Sequence, residues 1–502
     1  MPHSFFLGTI DSEMLHSCDL SRATYSRWTF FNLKCTYSRH GLENFPPIVR
    51  ADGVCADVAS LAPLSASVLA VYLSLLSSER LAEAEARENN RVYNTAVVVW
   101  LMITQRLQAE GTLETAVLEL PGLPAIFGPN PCQRRQPGER PMSGNTGAYN
   151  QARQRLPVKV VQGFCDGLFE QLSAGTNGSL PTIGRRAFVF DGTTIRTPHT
   201  KELKQLYPPT SNQEGESHWP LIRMVVAHDL VTGLGMRPAW GAVNGLQAVS
   251  EQRLFEQAVE RLPALAVVLA DANFGVFSVA YASVQRNHPV VVRMTAQRAK
   301  SMLQVPLSDG LERRLDWRPT KADRKSHPDL PPEACIRGRL IVTLVQPSDG
   351  STAFLLCLFT TLEEAREEII KLYGLRWNIE TDLLNLKQTL RVAQLTCTTS
   401  EMVDKEIEVA VMSYNLARAV IYQAAQKAGV APRSFSFTRV RNVINVYGPK
   451  IAAAKSESEA NELITLMSYY VAQAKLYKRK RPSYPREVWH STKPFPKRKA
   501  QL

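Results

Sequence analysis

Two apolar runs, RAFVFDGTTIR at 186–196 and ALAVVLADANFG at 264–275, each meet an aspartate, Asp191 and Asp271. Runs this short and this apolar read as buried strands. Around them the pattern alternates. LIRMVVAHDLVTGLG (221–235) reads as a hairpin, AVSEQRLFEQAVERL (248–262) and VFSVAYASVQRN (276–287) as helices, and HPVVVRMT (288–295) as a further strand. The order strand, strand, strand, helix, strand, helix, strand requires an α/β fold, a mixed sheet with helices on its faces. In such sheets ligand groups gather where buried strands end, and the small residues after each aspartate leave its carboxylate accessible. The alternative for either one is that the aspartate starts a turn or caps a helix.

The alternation breaks at 296–361. A polar, Pro-rich and Lys/Arg-rich piece holding Trp317 precedes two strands, IRGRLIVTLVQP and TAFLLCLFTT, joined by the turn SDG. This reads as a β-rich insertion. Helices follow from about 362 to 476. Upstream, residues 1–130 read as mostly helical; within them RVYNTAVVVWLMITQRLQAEGTLETAVLEL alternates polar and apolar faces, breaks at EGT, and offers Thr112 as a cap. Residues 129–157 are rich in Pro, Gly and Arg and run into a short helix from Asn145–Thr146 to Pro157, where Tyr149 stands among Arg153 and Arg155.

The chain of 502 residues is 44% hydrophobic, enough for a sizeable core, and carries a net charge of +13. From Lys475 to Leu502 there are ten Lys or Arg and one acid, so most of the excess lies in the tail. Such a tail serves nucleic acid or solubility. None of the eight cysteines forms a C-x-x-C pair, which reads as reduced thiols in a cytoplasmic protein. No secretory pattern opens the sequence, and the uncharged stretch Val58–Ser78, broken by Pro63, reads as a buried helix with a membrane span as the alternative.

The segment YGLRWNIETDLLNLK (373–387) sets Tyr373, Arg376, Glu380 and Lys387 into an otherwise apolar helix. At about 100° per residue these four share one stripe about 60° wide. Leu375, Ile379, Leu383, Leu386 and Leu390 fall on the opposite side, the expected core face. A solvated face with an Arg376–Glu380 pair is the plain alternative. Combined with two strand-end aspartates, Glu380 completes a set of three carboxylates suited to two Mg²⁺ ions, with Arg376 and Lys387 placed to hold a phosphodiester backbone.

The spacing Tyr373-x2-Arg376-x3-Glu380-x6-Lys387 resembles the Y-R-E-K signature of DDE transposases of the insertion-sequence-four family. FDGTTIR and ADANFGVF are similar to the family's two preceding motifs, SGNTGAYNQARQRLP to a segment before its catalytic domain, and YPREVW with the basic tail to its C-terminus. The likeness spans roughly residues 95–500. It departs at Ala272, where many relatives hold a polar or basic residue, and leaves the first 90 residues unmatched.

The resemblance implies an RNase H-like core interrupted by a β-rich insertion. The expected division is a helical region at 1–130, a basic linker and helix at 131–184, core at 185–295, insertion at 296–361, core helices at 362–428, further helices at 429–476 and a tail at 477–502. It further implies a metal-binding catalytic triad of Asp191, Asp271 and Glu380, with Mg²⁺ as cofactor and Mn²⁺ as substitute. Tyr373, Arg376 and Lys387 would position DNA, with the helical region at 1–130, Tyr149, Arg153, Arg155 and the tail gripping it. Trp317 would stack on a flipped base, the alternative being a buried Trp. The expected partners are the terminal inverted repeats of an insertion sequence, target DNA and a second copy of the chain, in the cytoplasm with no membrane. A structure-selective nuclease and a non-catalytic DNA-binding protein are the other readings.

Overall fold

A computed structural model describes residues 92–108, 110–120, 144–212, 215–346, 352–454 and 456–476. The uncharged stretch 58–78, the Pro/Arg-rich segment 129–143, the SDG turn and the tail from 477 lie outside them.

Among the described residues four helices come first, α1 (Thr95–Leu107), α2 (Leu113–Glu119), α3 (Gly147–Arg155) and α4 (Val158–Ala174). Asn94 caps α1 and Thr112 caps α2, each side chain accepting a backbone N–H three residues on. The expected two-faced pattern fails in α1. Thr95 to Ile103 are all buried, because α1 packs against a long helix from the other end of the chain.

The strands are β1 (Ser179–Leu180), β2 (Arg185–Arg196), β3 (Pro209–Asn212), β4 (Gly215–Asp229), β5 (Ala239–Ala242), β6 (Val267–Ala270), β7 (Val290–Met294), β8 (Glu312–Trp317), β9 (Ile336–Val345) and β10 (Phe354–Thr360). Helices α5 (Lys201–Leu206), α6 (Glu251–Val259), α7 (Phe277–Val284), α8 (Ala296–Leu303) and α9 (Lys321–Ser326) lie between them. All ten strands form one sheet in the order β3-β4-β2-β6-β7-β10-β9-β8, with β5 also on β4 and β1 on β2. The pairs β2–β6 and β6–β7 are parallel, while β4 runs antiparallel to β2. The order β5-β4-β2-β6-β7 is that of an RNase H-like core. The β-rich insertion does not fold apart from it. β10 pairs antiparallel with β7, and β9 and β8 continue outward, so the insertion widens the same sheet. The alternation read from the sequence missed α5, β3, α8, β8 and α9, all short and largely polar.

Alternate residues of the central strands feed two cores. Phe188, Phe190, Val268, Ala270, Val290 and Val292 belong to the larger one, with Phe255, Phe274 and Phe277 beneath. Ala187, Val189, Val267, Leu269, Val291 and Leu358 belong to the other. The second face is covered by the segment after the insertion. There α10 (Arg366–Gly374) leads into a 3₁₀ turn (Leu375–Trp377), α11 (Asn378–Leu384) and a π turn (Asn385–Thr389). The backbone stays right-handed helical throughout, but its hydrogen bonding tightens and then widens. The expected uniform helix over 362–390 is therefore two α pieces joined by other windings. Ile379 and Leu383 seat on the sheet, Leu386 and Leu390 pass to the larger core, and Leu375, expected in the core, is exposed.

Helices α12 (Ser400–Ala428), α13 (Phe437–Ala452) and α14 (Glu457–Ala472) complete the fold. α12 is buried along most of its 29 residues and packs on α1, α4 and α13. Among the described residues no helix is long and apolar enough to cross a membrane.

Candidate functional site

Strand register places the two aspartates. Val189 pairs with Leu269 and Phe190 with Ala270 in the parallel ladder of β2 and β6. One step further along, Asp191 comes level with Asp271, on strands spaced about 4.8 Å apart. Both follow the parity of Val189 and Leu269, so both belong to the face covered by α10 and α11. The same step from Ala270–Val292 sets Arg293 beside Asp271. The expected strand end at Asp191 is corrected: β2 runs on to Arg196 against β4, and only its parallel pairing with β6 stops there, so Asp191, Asp271 and Arg293 form a row from inside β2 across the end of β6 to β7.

The two carboxylates are held locally. Asp191 Oδ1 accepts the Gly192 N–H at 2.8 Å, and Asp271 Oδ1 accepts the Asn273 N–H at 2.9 Å. The loop after Asp271 presses on β7 so tightly that a β-carbon at Gly275 would stand 2.1 Å from the Arg293 carbonyl oxygen, which requires glycine there. Burial pushes the Asp191 carboxyl up to about 6, the Gly192 N–H and Arg376 draw it down, and the Asp271 and Glu251 carboxylates push it further up. Asp191 therefore senses Asp271, Arg376 and Glu251 as neighbours.

The covering helix adds Tyr373 and Arg376. Tyr373 is buried against the sheet with Ile369 and Leu372 instead of lining an outer stripe. Burial pushes its hydroxyl up to about 12, against the pull of Arg376 and Arg293. No well-formed hydrogen bond reaches that hydroxyl among the described residues. The Arg376 guanidinium lies between two rings, 5.9 Å from the Tyr373 centroid and 5.8 Å from that of Trp377. Trp377 itself is 62% exposed.

Glu380 stands apart from the pair. Its exposed carboxylate is 3.7 Å from Arg376, the i,i+4 contact of a helix surface. Among the described residues no three carboxylate, imidazole or thiol groups are close enough together to hold a metal ion. Asp191 and Asp271 are the pair that fits a hard cation, which takes one or two carboxylates and completes its shell with water and phosphate oxygens. Lys387 lies in the π turn, half-buried, and burial and Arg196 lower its pKa.

Three expectations are corrected. Tyr149 is fully buried and donates to Gln105 Oε1 at 2.6 Å. Arg153 is buried across the Tyr149 ring and ion-paired with Glu406, so neither side chain is free to grip DNA. Arg155, at the end of α3, is exposed. Trp317 is 5% exposed and packs edge-on between Phe277 and Phe359, which makes it a core residue and closes it to a flipped base. Sequence reading missed Arg293, Glu251 and Asn273. Arg293 carried a signal, closing the third apolar run VVVR; the other two are brought in only by tertiary folding.

Residues 182–416 match the transposase DDE domain, a span that holds both aspartates and the covering helix. The chain is also 25% identical over 312 residues to the transposase InsG for insertion sequence element IS4 of Escherichia coli (strain K12), covering 60% of this chain and 67% of that protein. Both matches support a DDE transposase of the insertion-sequence-four family. Tyr373, Arg376 and Glu380 lie in the segment that covers the sheet face of the two aspartates, and Lys387 lies beyond it, beside Arg196.

Proposed function

We propose that this transposase binds the terminal inverted repeats of an insertion sequence, cuts one strand to expose a 3′-hydroxyl, and joins that end to target DNA. The side-by-side placement of Asp191 and Asp271 under Arg376 carries this reading. Asp191 and Asp271 would hold divalent cations, Mg²⁺ or Mn²⁺, with Glu380 as third carboxylate once its side chain leaves Arg376. Such ions would polarise the scissile phosphate and lower the pKa of the attacking hydroxyl. The chain's own residues do the rest. Arg376, released from Glu380, pairs with a phosphate oxygen, stiffened by Tyr373 and Trp377 on either side. Arg293 flanks the pair and holds the backbone for in-line attack, and Lys387, beside Arg196, meets phosphate further along the strand. Arg155 and the basic tail add phosphate contacts whose strength falls with salt. Joining two ends requires two active sites, so the DNA-bound form is a homodimer.

The deciding experiment incubates labelled end DNA and Mg²⁺ with wild-type protein and with Asp191→Asn. Nicked and strand-transfer products from wild type alone are expected. Cleavage absent from both, or equal in both, sinks the catalytic reading. Cleavage without joined products on paired ends replaces transposition with structure-selective nuclease activity.

A further inference from the structure

Glu251 is the first residue of α6, far in sequence from either aspartate and absent from the signature. Its location is fixed from both sides. Ser250 caps α6 by accepting the Arg253 N–H at 3.1 Å, and Arg223 Nη1 donates to the Val249 carbonyl at 2.7 Å. An acidic residue in a first helical turn is usually accounted for by the helix dipole. Glu251 does more than that. Its Oε2 accepts the side-chain amide of Asn273, while the Asn273 backbone N–H donates to Asp271 Oδ1 at 2.9 Å. Gln252 Nε2 fastens the same loop through the Asn273 carbonyl at 2.9 Å. On its other side Glu251 lies over Gly192, where a β-carbon would stand 2.6 Å from the carboxyl carbon. Gly192 follows Asp191 and bonds its carboxylate.

We propose that Glu251 is a positioning residue for both strand-end aspartates, acting on Asp271 through Asn273 and on Asp191 across the gap left by Gly192. This rests on the catalytic reading of those aspartates. Glu251 ties the loop after β6 to β2 at Gly192, so the two carboxylates are held in place relative to each other. Its own charge adds to the negative potential there. Residues that orient metal-binding side chains typically alter cation affinity 10- to 100-fold when replaced.

The test titrates full-length protein with Mn²⁺, followed by electron paramagnetic resonance, beside thermal melts and cleavage assays over a range of metal concentrations. Glu251→Gln is expected to weaken Mn²⁺ binding by about tenfold. It should raise the metal concentration for half-maximal cleavage by the same factor, with the melting temperature held. Gly192→Ala, which drives Glu251 aside, should reproduce the shift through an intact carboxylate. A lowered melting temperature with unchanged Mn²⁺ affinity in the folded fraction would mean that Glu251 is only structural and would overturn the proposal. Wild-type affinity in both variants, while Asp191→Asn binds weakly, overturns it and leaves the catalytic reading standing. Mn²⁺ binding unchanged in Asp191→Asn overturns the catalytic reading and this proposal with it.

Discussion

The two ends of the central sheet carry the same sequence feature and do opposite things. At one end FVFD and VVLAD place Asp191 and Asp271 together. At the other, VVAHD closes β4 on Asp229, which pairs across with Phe188 because β4 runs antiparallel to β2. Asp229 is fully buried; its Oδ1 accepts the N–H groups of Val231 and Thr232, and its Oδ2 is 2.9 Å from Arg186. It is a turn cap with its charge answered. Among the described residues neither Asp191 nor Asp271 has an ion-pair partner within 4.0 Å. A strand-end aspartate becomes a candidate ligand when the fold leaves it unanswered, and the local motif does not say which will happen.

Substitutions at the two ends should therefore separate chemistry from stability. The largest effect belongs to Asp191→Asn and Asp271→Asn, expected to lower cleavage by at least about 10⁴-fold, roughly 5.4 kcal/mol of barrier, while melting stays at or above wild type. A variant that melts early yet still cuts would erase the distinction. At the opposite end Arg186→Ala leaves Asp229 buried without its cation. The expected cost is about 3–5 kcal/mol of stability, seen by denaturant titration, with wild-type cleavage per folded molecule. A loss of activity beyond the loss of folded protein would show that the two ends are coupled.

Arg376→Ala asks whether the covering helix belongs with the unanswered end. Removing one phosphate contact should weaken end-DNA binding by about tenfold, or about 1.4 kcal/mol, and reduce the salt slope by about one. Lys387→Ala should do less, since burial and Arg196 already disfavour its charge. Equal binding with an unchanged salt slope in Arg376→Ala would make the guanidinium merely the surface partner of Glu380.

The central strands were legible because parallel strands buried on both faces must be apolar throughout, and Phe188–Phe190 and Val267–Ala270 are. The site was legible in part. Asp271 follows directly on its strand as expected, Asp191 lies inside β2 where the parallel pairing with β6 stops, and Glu380 stays with Arg376. The 3₁₀ and π windings of 375–389 are hydrogen-bond shifts of a residue or less, invisible to a 3.6-residue period, and Leu375, in the 3₁₀ turn, is exposed. Tyr149 and Arg153 were misread because an aromatic among arginines looks alike whether it faces DNA or Glu406, a partner some 250 residues away. Trp317 was placed by Phe277 and Phe359, about 40 residues away on either side. Side chains whose surroundings come from distant segments carry no local mark of them.

The remaining effect concerns pH, and it compares Asp191 with its own neutral replacement. The Asp191 carboxyl lies at about 6 in the fold against an ordinary value of 3.8. A carboxyl raised on folding supports the native state while protonated, so its contribution is complete below about 3.8 and is lost as pH rises through about 6. Without cations, wild type should lose melting temperature over that interval relative to Asp191→Asn, which has no proton to release. Divalent cations bind the ionised form and reverse the sign: added Mg²⁺ should restore wild type above about pH 6 and leave Asp191→Asn unmoved. Cleavage at limiting metal should climb over the same interval, up to about tenfold per pH unit below the midpoint. Parallel melting curves for the two proteins, with and without Mg²⁺, would mean that the unanswered carboxylate is neither strained by its neighbours nor relieved by a cation.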